Sequence, residues 1–309
     1  MTDKKELTGI VFEHNGALGD MLLAWPAFFS VSARYPHVPR LFRTRPAHAP
    51  FPAALDAAPC PPGLSRELDG LYAAASWPPA LDRVLVVRPG LCTRPEVPRD
   101  PRFLFLPGVS PGRFDPPHVL YREALAERGI PWRGDWISAF RARFGASAPE
   151  GRTVLLVPGA GHVKKTWPME RFRELAGRLA RDGFDPVFLL GPAEVERGLD
   201  CGPWPCRVPG DLAALMTLLK TARAVVGADC GPMHLAGLLG TPGAALFGPT
   251  SACQWGPAGM RIVSADPSCS PCVQVTSGDF APACPTPPPC LAGIAVDRVL
   301  AELRGILEA

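Results

Sequence analysis

The sequence predicts an α/β protein made of two Rossmann-like domains with a cleft between them. The chain opens on an apolar strand at residues 9–12, a glycine-containing turn and a helix at residues 21–35, the start of a βα unit. From residue 153 onward, short apolar strands alternate with helices, which is typical of a parallel sheet covered on both faces. The length of 309 residues suits two domains of about 150 residues each.

The composition indicates a folded chain with a substantial apolar core. Apolar residues make up 47% of the chain and charged residues 20%, and 32 basic against 29 acidic residues give a net charge of +3. This near-balance argues against disorder and against a strongly basic nucleic-acid binder. The 39 prolines are spread without a period, which excludes a collagen-like chain.

No stretch of the sequence is long and apolar enough to span a membrane. The longest weakly polar stretch, Leu235 to Phe247, contains Gly and Pro and falls short of the roughly 20 residues that a spanning helix needs. The apolar run near the N-terminus is too short for a signal peptide. We therefore expect a cytoplasmic protein, whose ten cysteines are mostly thiols because the cytosol is reducing.

The hydrophobic pattern assigns each motif to a strand, a helix or a connecting loop. In the N-terminal part it predicts strands at residues 41–43, 84–88 and 103–106 and a helix at residues 116–128. A linker at Gly145–Arg152 then separates a domain of residues 1–148 from one of residues 149–309. In the second domain the pattern predicts strands at 154–157, 187–191, 224–227 and 244–247, and helices at 168–182, 212–221, 232–239 and 294–307.

A turn from Gly16 to Gly19 leads from the first strand into Asp20 and the first helix. Glycines let a backbone turn sharply and approach a ligand, and ligands of open α/β sheets bind at the carboxyl ends of strands. Asp20 is therefore a candidate site residue. The alternative interpretation is that Asp20 only caps the helix. The turn lacks the GxGxxG pattern of dinucleotide-binding proteins.

A second glycine loop carries Lys164, Lys165 and Thr166 just before a predicted helix. Gly159, Lys165 and Thr166 fall in register with the P-loop pattern GxxxxGK[ST], but Lys164 stands where that pattern needs its second glycine. The mismatch counts strongly against an ATPase or GTPase. A glycine loop with two lysines before a helix N-terminus remains a candidate anion site; a solvated lysine pair is the alternative.

Two further loops follow neighbouring strands of the second domain. One runs from Asp229 through Gly231 to His234, at the start of a helix whose free amides and dipole favour a phosphate. The other, Phe247–Thr250, follows the next parallel strand. Because the carboxyl ends of adjacent parallel strands meet at one edge of a sheet, we expect both loops to share one site. Taken alone, His234 is equally well a structural histidine.

Four motifs, in this order and spacing, resemble those of glycosyltransferase family 9, the ADP-heptose:lipopolysaccharide heptosyltransferases and their relatives. They read GALGDMLLAWPAFFSVSARYP, VPGAGHVKKTWPMERFRELAGRLARDG, LLGPAE and VVGADCGPMHLAGLLGTPGAALFGPT. The resemblance covers residues 9–36 and nearly all of 153–309, and it is poor between about residues 40 and 150. It implies a GT-B architecture, in which the N-terminal Rossmann-like domain binds the acceptor and the C-terminal one the nucleotide sugar.

The resemblance also implies roles for single residues in an inverting transfer that needs no metal and no cofactor. Asp20 corresponds to the general base, Lys165 to the lysine that binds the donor phosphates, and Glu194 to the acidic residue near the nucleoside. The residues that match the diphosphate element are Asp229, Gly231 and His234. Further contacts in the site are expected at Gly19, Gly161, Thr166, Met233 and Gly248.

The partners implied are a nucleotide-sugar donor such as ADP-heptose and a glycolipid or glycan acceptor such as the lipopolysaccharide core. No nucleic-acid partner is expected. We expect at most a peripheral contact between the protein and the inner membrane. One departure from the family pattern is Cys230, which replaces the usual Ser or Thr. It favours a degenerate member that binds without turnover, whereas Asp20 and Lys165 together argue against that alternative. A Rossmann oxidoreductase is disfavoured by the missing GxGxxG.

Four cysteines near the C-terminus form a C-x2-C and a C-x5-C pair, at Cys269, Cys272, Cys284 and Cys290. C-x2-C is a common half-site of structural zinc, but five intervening residues exceed the usual spacing of the second pair. A cytosolic location argues against stable disulfides. We favour free thiols over a zinc ribbon, and expect no catalytic metal.

Overall fold

A computed structural model describes residues 6–90, 94–275, 284–285 and 287–308 of the chain. The contacts divide the chain into two compact units, Met1–Trp136 (unit 1) and Ile137–Ala309 (unit 2). Each unit contains one parallel sheet with helices along the chain between its strands. The predicted α/β class is therefore confirmed.

Unit 1 is built on a five-stranded sheet in the order β3-β2-β1-β4-β5, with all paired strands parallel. Its strands are β1 (Gly9–His14), β2 (Arg40–Thr44), β3 (Ala57–Pro59), β4 (Val84–Gly90) and β5 (Phe103–Pro107). β1 is buried along its whole length. Because β2 and β4 lie on either side of it, the loop after β1 lies where the strand order reverses, the usual place for a ligand.

The helices of unit 1 connect these strands along the chain. They are α1 (Leu18–Arg34), α2 (Pro50–Ala53), α3 (Pro62–Leu71) and α4 (Pro117–Glu127), with 3-10 turns at Pro46–His48 and Pro79–Leu81. α5 (Trp136–Phe144) begins at the last residue of this unit. α1 is fixed by burial of Met21, Trp25 and Phe28, and the Trp25 indole donates to the Phe51 carbonyl at 3.1 Å.

Unit 2 is built on a six-stranded parallel sheet in the order β11-β10-β9-β6-β7-β8. The strands are β6 (Thr153–Val157), β7 (Asp185–Leu189), β8 (Cys206–Arg207), β9 (Ala224–Ala228), β10 (Gly243–Phe247) and β11 (Arg261–Ser264). β9 and β10 are buried at every position, as expected of central strands that are covered on both faces.

The helices of unit 2 are α6 (Met169–Arg181), α7 (Pro192–Glu196), α8 (Leu212–Thr221), α9 (Gly231–Leu239), α10 (Ala252–Trp255), α11 (Pro289–Ala292) and α12 (Val296–Leu307), with a 3-10 turn at Val163–Lys165. α6 and α12 pack on the same part of the core, and Trp167 meets Phe172 edge-on at 4.9 Å between ring centroids. The Trp167 indole also donates to the Ile294 carbonyl at 3.0 Å.

All strands and helices predicted from the sequence are present, with ends shifted by a few residues. One detail is wrong: α6 begins at Met169, so Pro168 is its N-cap and not its first helical residue. The elements that were not predicted are mostly short: strands β3, β8 and β11, and helices α2, α3, α5, α7, α10 and α11. No helix in the described ranges is long and apolar enough to cross a membrane.

Candidate active site

The loops that follow β6, β7, β9 and β10 meet at the carboxyl edge of the unit 2 sheet. They bring together side chains that lie far apart in the sequence, with Asp229 at the centre. Lys165 Nζ lies 2.6 Å from Asp229 Oδ2, and the Thr250 hydroxyl donates to the same oxygen at 3.0 Å. His234 Nε2 lies 3.7 Å from Asp229 Oδ1. The predicted sharing of one site by the Asp229 and Thr250 loops is confirmed.

Asp229 stays ionised although its carboxyl is buried. Its side chain is 9% exposed and that of Lys165 is 11% exposed. Burial alone would raise the pKa of Asp229, but Lys165 and His234 outweigh it and lower that pKa to about 2. An opposite charge and hydrogen-bond donors both favour a carboxylate over its acid. The cluster thus holds a cation and an anion at the sheet edge where ligands bind.

The two lysines of the glycine loop have different partners. Lys165 contacts Asp229, whereas the Lys164 ammonium donates to the Cys284 carbonyl at 3.1 Å. The alternative of a solvated lysine pair is therefore wrong for both residues. The exposed Gly161 precedes them, and the Thr166 hydroxyl donates to the Val163 carbonyl at 2.6 Å, within the 3-10 turn.

The start of α9 offers fewer free amides than the sequence predicts. Pro232 has no N–H, and the amides of Met233 and His234 donate to the Cys230 carbonyl at 3.1 and 3.3 Å. The His234 bond is the ordinary first bond of an α-helix, so Pro232 and Met233 are the positions of this turn that offer no free amide. In the described part of the chain, the Gly231 amide is the donor of this first turn that has no acceptor. Any bound phosphate would depend correspondingly more on Lys165.

Cys230 is the N-cap of α9, and its thiol is uncharged at neutral pH because burial raises its pKa to about 12. Cys230→Ser should raise the melting temperature by about 1–4 °C, because a Ser hydroxyl caps a helix better than a thiol. ADP affinity should stay the same or rise slightly. Calorimetry and thermal unfolding measure both quantities, and a large loss of affinity would show that the thiol has a role of its own.

The remaining predicted donor residues of unit 2 lie around this cluster. Glu194 Oε2 accepts from the Gly191 amide at 2.9 Å, and its carboxyl packs on Gly159, where an added Cβ would lie 2.4 Å away. Gly159 must therefore remain glycine for Glu194 to lie there. Met233 is fully buried beneath the sheet edge, and Gly248 packs against Leu291.

The cysteine-rich segment lies against the loop that follows β10. Cys269, Cys272, Cys284 and Cys290 are all free thiols. In the described ranges, no group of three or more His, Cys, Asp or Glu side chains is arranged to hold a metal ion, so the geometry gives no support to a zinc ribbon. The segment instead makes hydrogen bonds: the amides of Cys272 and Val273 donate to the Pro249 carbonyl at 3.0 and 3.2 Å.

Asp20 lies in the first turn of α1 in unit 1, as predicted. Ala17 is the N-cap, and Asp20 Oδ2 accepts from the Ala17 amide at 3.0 Å. Asp20 therefore stabilises the start of the helix, which agrees in part with the capping interpretation. Its other oxygen, Oδ1, has no hydrogen-bond donor among the described residues and is able to accept a proton. Gly19 precedes Asp20 within the same helical turn.

Two buried histidines lie beside Asp20. A Cβ on Gly16 would lie 2.9 Å from Asp20 Oδ2 and 2.8 Å from the His14 ring, so only glycine allows this approach. Burial, then His48 and two arginines, lowers the pKa of His14 to about 4. Burial and Arg45 also lower the pKa of His48, and the charge of Asp20 opposes this. Both imidazoles are therefore neutral at pH 7.

The pH dependence of unit 1 stability should depend on His14. Its pKa is about 4 in the fold and about 6.5 when unfolded. Between these values the unfolded chain binds the proton and the fold does not, so stability is lost as the pH falls from 6.5 to 4, by about 3 kcal/mol. Thermal unfolding of His14→Gln should depend less on pH in this window than that of the parent. Equal slopes would contradict the assignment.

Comparisons with known proteins find similarity to one family. Residues 137–278 match the sequence model of glycosyltransferase family 9 (heptosyltransferase). The matched segment is somewhat under half of the chain, and it shows what this part of the chain is similar to. A curated relative, lipopolysaccharide heptosyltransferase 1 of Pseudomonas aeruginosa, is 33% identical over 145 residues. That alignment covers 44% of this chain and 40% of the relative, so the chain matches well under half of the length of that relative.

Solved structures confirm the GT-B fold. Escherichia coli ADP-heptose lipopolysaccharide heptosyltransferase II is 20% identical, with a TM-score of 0.61 and coverage of 97% of this chain and 98% of the other. Escherichia coli heptosyltransferase WaaC with ADP is 16% identical, with a TM-score of 0.62 and coverage of 96% and 99%. At this level of identity the similarity shows the fold alone.

Three residues of the candidate site were not predicted individually. The Phe247–Thr250 loop was expected at the site, but the contact of the Thr250 hydroxyl with Asp229 was not; the place of Thr250 after β10, next to β9, could have indicated it. His14 is the last residue of β1, and its position at the carboxyl end of that strand could have indicated that it lies in the site. His48 follows β2, and only the strand order brings it near Asp20.

Proposed function

We propose that this protein is an inverting glycosyltransferase that moves a heptose, or a similar sugar, from a nucleotide diphosphate donor to a lipopolysaccharide core or related glycan. ADP-heptose is the donor that we propose. The observation that carries the proposal is the buried cluster of Lys165, Asp229, His234 and Thr250 at the carboxyl edge of unit 2. It combines with the family match over the same region.

Lys165 is the group that we assign to the donor diphosphate. An ammonium has three N–H donors, and Asp229 occupies one of them. Two remain for phosphate oxygens, and the Gly231 amide adds a further donor. When the bond from the sugar to the diphosphate breaks, negative charge grows on the leaving group. A fixed cation stabilises that charge without reorganisation, which is the part that a metal plays in other transferases.

Asp20 is the group that we assign to the acceptor. A sugar hydroxyl is a poor nucleophile, and a positioned carboxylate that removes its proton contributes roughly 10²–10⁴ in rate. In the proposed step the hydroxyl oxygen bonds to the anomeric carbon, its proton passes to Asp20, and the electron pair of the old bond leaves with the nucleoside diphosphate. One displacement of this kind inverts the anomeric centre. His14 and His48 are neutral, so neither forms an ion pair with Asp20.

A second candidate function is binding of a sugar nucleotide without turnover. Two observations favour it: Cys230 stands in place of a phosphate-binding hydroxyl, and the Met233 amide in the first turn of α9 donates to the Cys230 carbonyl. Both features would weaken the hold on a diphosphate. Neither touches Asp20 or Lys165, so we prefer the enzyme.

Thermal shift with a panel of nucleotides separates the candidates cheaply. Stabilisation by ADP, and not by UDP, GDP or NAD, would support the proposed donor, whereas stabilisation by NAD alone would indicate an oxidoreductase. Transfer is then measured with ADP-heptose and deacylated lipopolysaccharide core, with and without EDTA. An inverted product formed at an equal rate in EDTA supports the full proposal. Binding of ADP-heptose without product over a panel of core acceptors would favour the second candidate.

We also infer that the protein works in the cytoplasm and touches the inner membrane peripherally, since the proposed acceptor is anchored in that membrane. Flotation with vesicles made of inner-membrane lipids tests the contact. Co-flotation that requires the acceptor lipid would support it, and the absence of any co-flotation would contradict it.

A further inference from the structure

Thr250 places a hydroxyl inside the cluster of unit 2, a role that was not predicted for it. The residue is 4% exposed, and its hydroxyl donates to Asp229 Oδ2 at 3.0 Å. The same oxygen contacts the Lys165 ammonium at 2.6 Å. Thr250 and Lys165 therefore both contact a single carboxylate oxygen, although the two residues lie far apart in the sequence.

Two donors fix an oxygen more firmly than one. Lysine is a point charge on a flexible four-carbon chain with about 2 kcal/mol of rotamer entropy, so its ammonium needs an anchor to stay in one place. Asp229 is that anchor for Lys165. If the Thr250 hydroxyl were lost, the carboxylate would keep Lys165 and His234 as partners but could rotate toward either. The position of the Lys165 charge would then be less well defined.

Thr250 is itself held by the chain around it. The preceding carbonyl, that of Pro249, accepts from the amides of Cys272 and Val273. One residue further back, the Gly248 carbonyl accepts from the Ser270 hydroxyl at 2.5 Å. Thr250 also bridges Val273 in a parallel pairing. Thr250 therefore belongs to a loop that is held in place by hydrogen bonds. A residue that orients another side chain needs such a fixed position.

We propose that Thr250 is a positioning residue for the donor diphosphate, and that it acts through Asp229 on the Lys165 ammonium. The inference rests on the proposed function, since it assumes that Lys165 binds the diphosphate. It gives a role to a side chain of the loop after β10, beside residues from the loops after β6 and β9. Thr250 itself touches no phosphate in this proposal.

The test is calorimetric binding of ADP to Thr250→Val, which keeps the shape of the side chain and removes its hydroxyl. Affinity should fall about tenfold, the lower end of what a hydrogen bond to a charged group contributes. Thr250→Ser should restore most of the loss. Thr241→Val is the matched control, because that buried hydroxyl donates to the Leu219 carbonyl at 2.9 Å, outside the cluster. Equal affinities for the parent and Thr250→Val would overturn the inference.

A double-mutant cycle shows whether Thr250 acts through Lys165. In a Lys165→Gln background, Thr250→Val should cause little further loss of ADP affinity, because the charge that it positions is gone. A full additional tenfold loss would mean that Thr250 acts by another route and would overturn the inference. ADP binding without sugar transfer by the parent would contradict the proposed enzyme and leave this inference standing. No ADP binding by the parent would overturn both.

Discussion

Asp20→Asn is expected to lower the turnover of sugar transfer by about 10²–10⁴ and to leave ADP affinity unchanged. The amide of Asn can still accept from the Ala17 amide and so preserve the start of α1, where Asp20 accepts at 3.0 Å. It cannot take the proton of the acceptor hydroxyl. Initial rates with ADP-heptose and the core acceptor measure the first quantity, and calorimetry with ADP measures the second.

Asp56→Asn is the matched control for this loss of one negative charge. Asp56 belongs to the same unit, and its side chain is 90% exposed. It adopts a positive φ of 57°, a conformation that Asn tolerates well, so the variant should fold and transfer sugar at the parental rate. If turnover of Asp20→Asn stays within a few-fold of the parent, Asp20 only stabilises the helix.

The strands of this protein could be predicted because a strand that is buried on both faces has an apolar residue at nearly every position. β6, β9 and β10 are continuous apolar runs, as strands buried on both faces must be, and their ends were found to within one residue. α3 was missed because it begins among prolines and buries only Leu68 and Leu71. Prolines are tolerated in the first turn of a helix, and two buried residues leave a weak pattern.

The candidate site could be predicted residue by residue but not as a network. Each of Lys165, Asp229 and His234 stood out in its own motif, and the order of motifs resembled a family. The pairing of Lys165 with Asp229 depends on β6 and β9 being neighbours in the sheet, which the sequence alone did not establish. The bond from the Met233 amide to the Cys230 carbonyl depends on where that carbonyl points, a backbone detail that residue types do not indicate.

Lys165→Ala is expected to weaken ADP binding by about 10- to 100-fold, since hydrogen bonds between a cation and phosphate are worth about 1.5–3 kcal/mol. Transfer should slow further, because the charge on the leaving diphosphate grows in the transition state. Lys164→Ala is the matched control: its ammonium donates to the Cys284 carbonyl, so ADP affinity should hardly change. Equal losses in both variants would indicate a diffuse basic loop and contradict a defined site.

The same substitution should also destabilise unit 2, and this effect must be separated from the loss of binding. Lys165→Ala leaves Asp229 charged at 9% exposure without its cation, and breaking a buried pair costs about 3–5 kcal/mol. Adding Asp229→Asn removes the buried charge that has no partner in the single variant. The melting temperature of the double variant should therefore return most of the way to that of the parent. The double variant should not recover ADP binding, because the cation is still missing. Recovery of both together would mean that the single variant lost its affinity through unfolding, and that Lys165 does not bind the diphosphate.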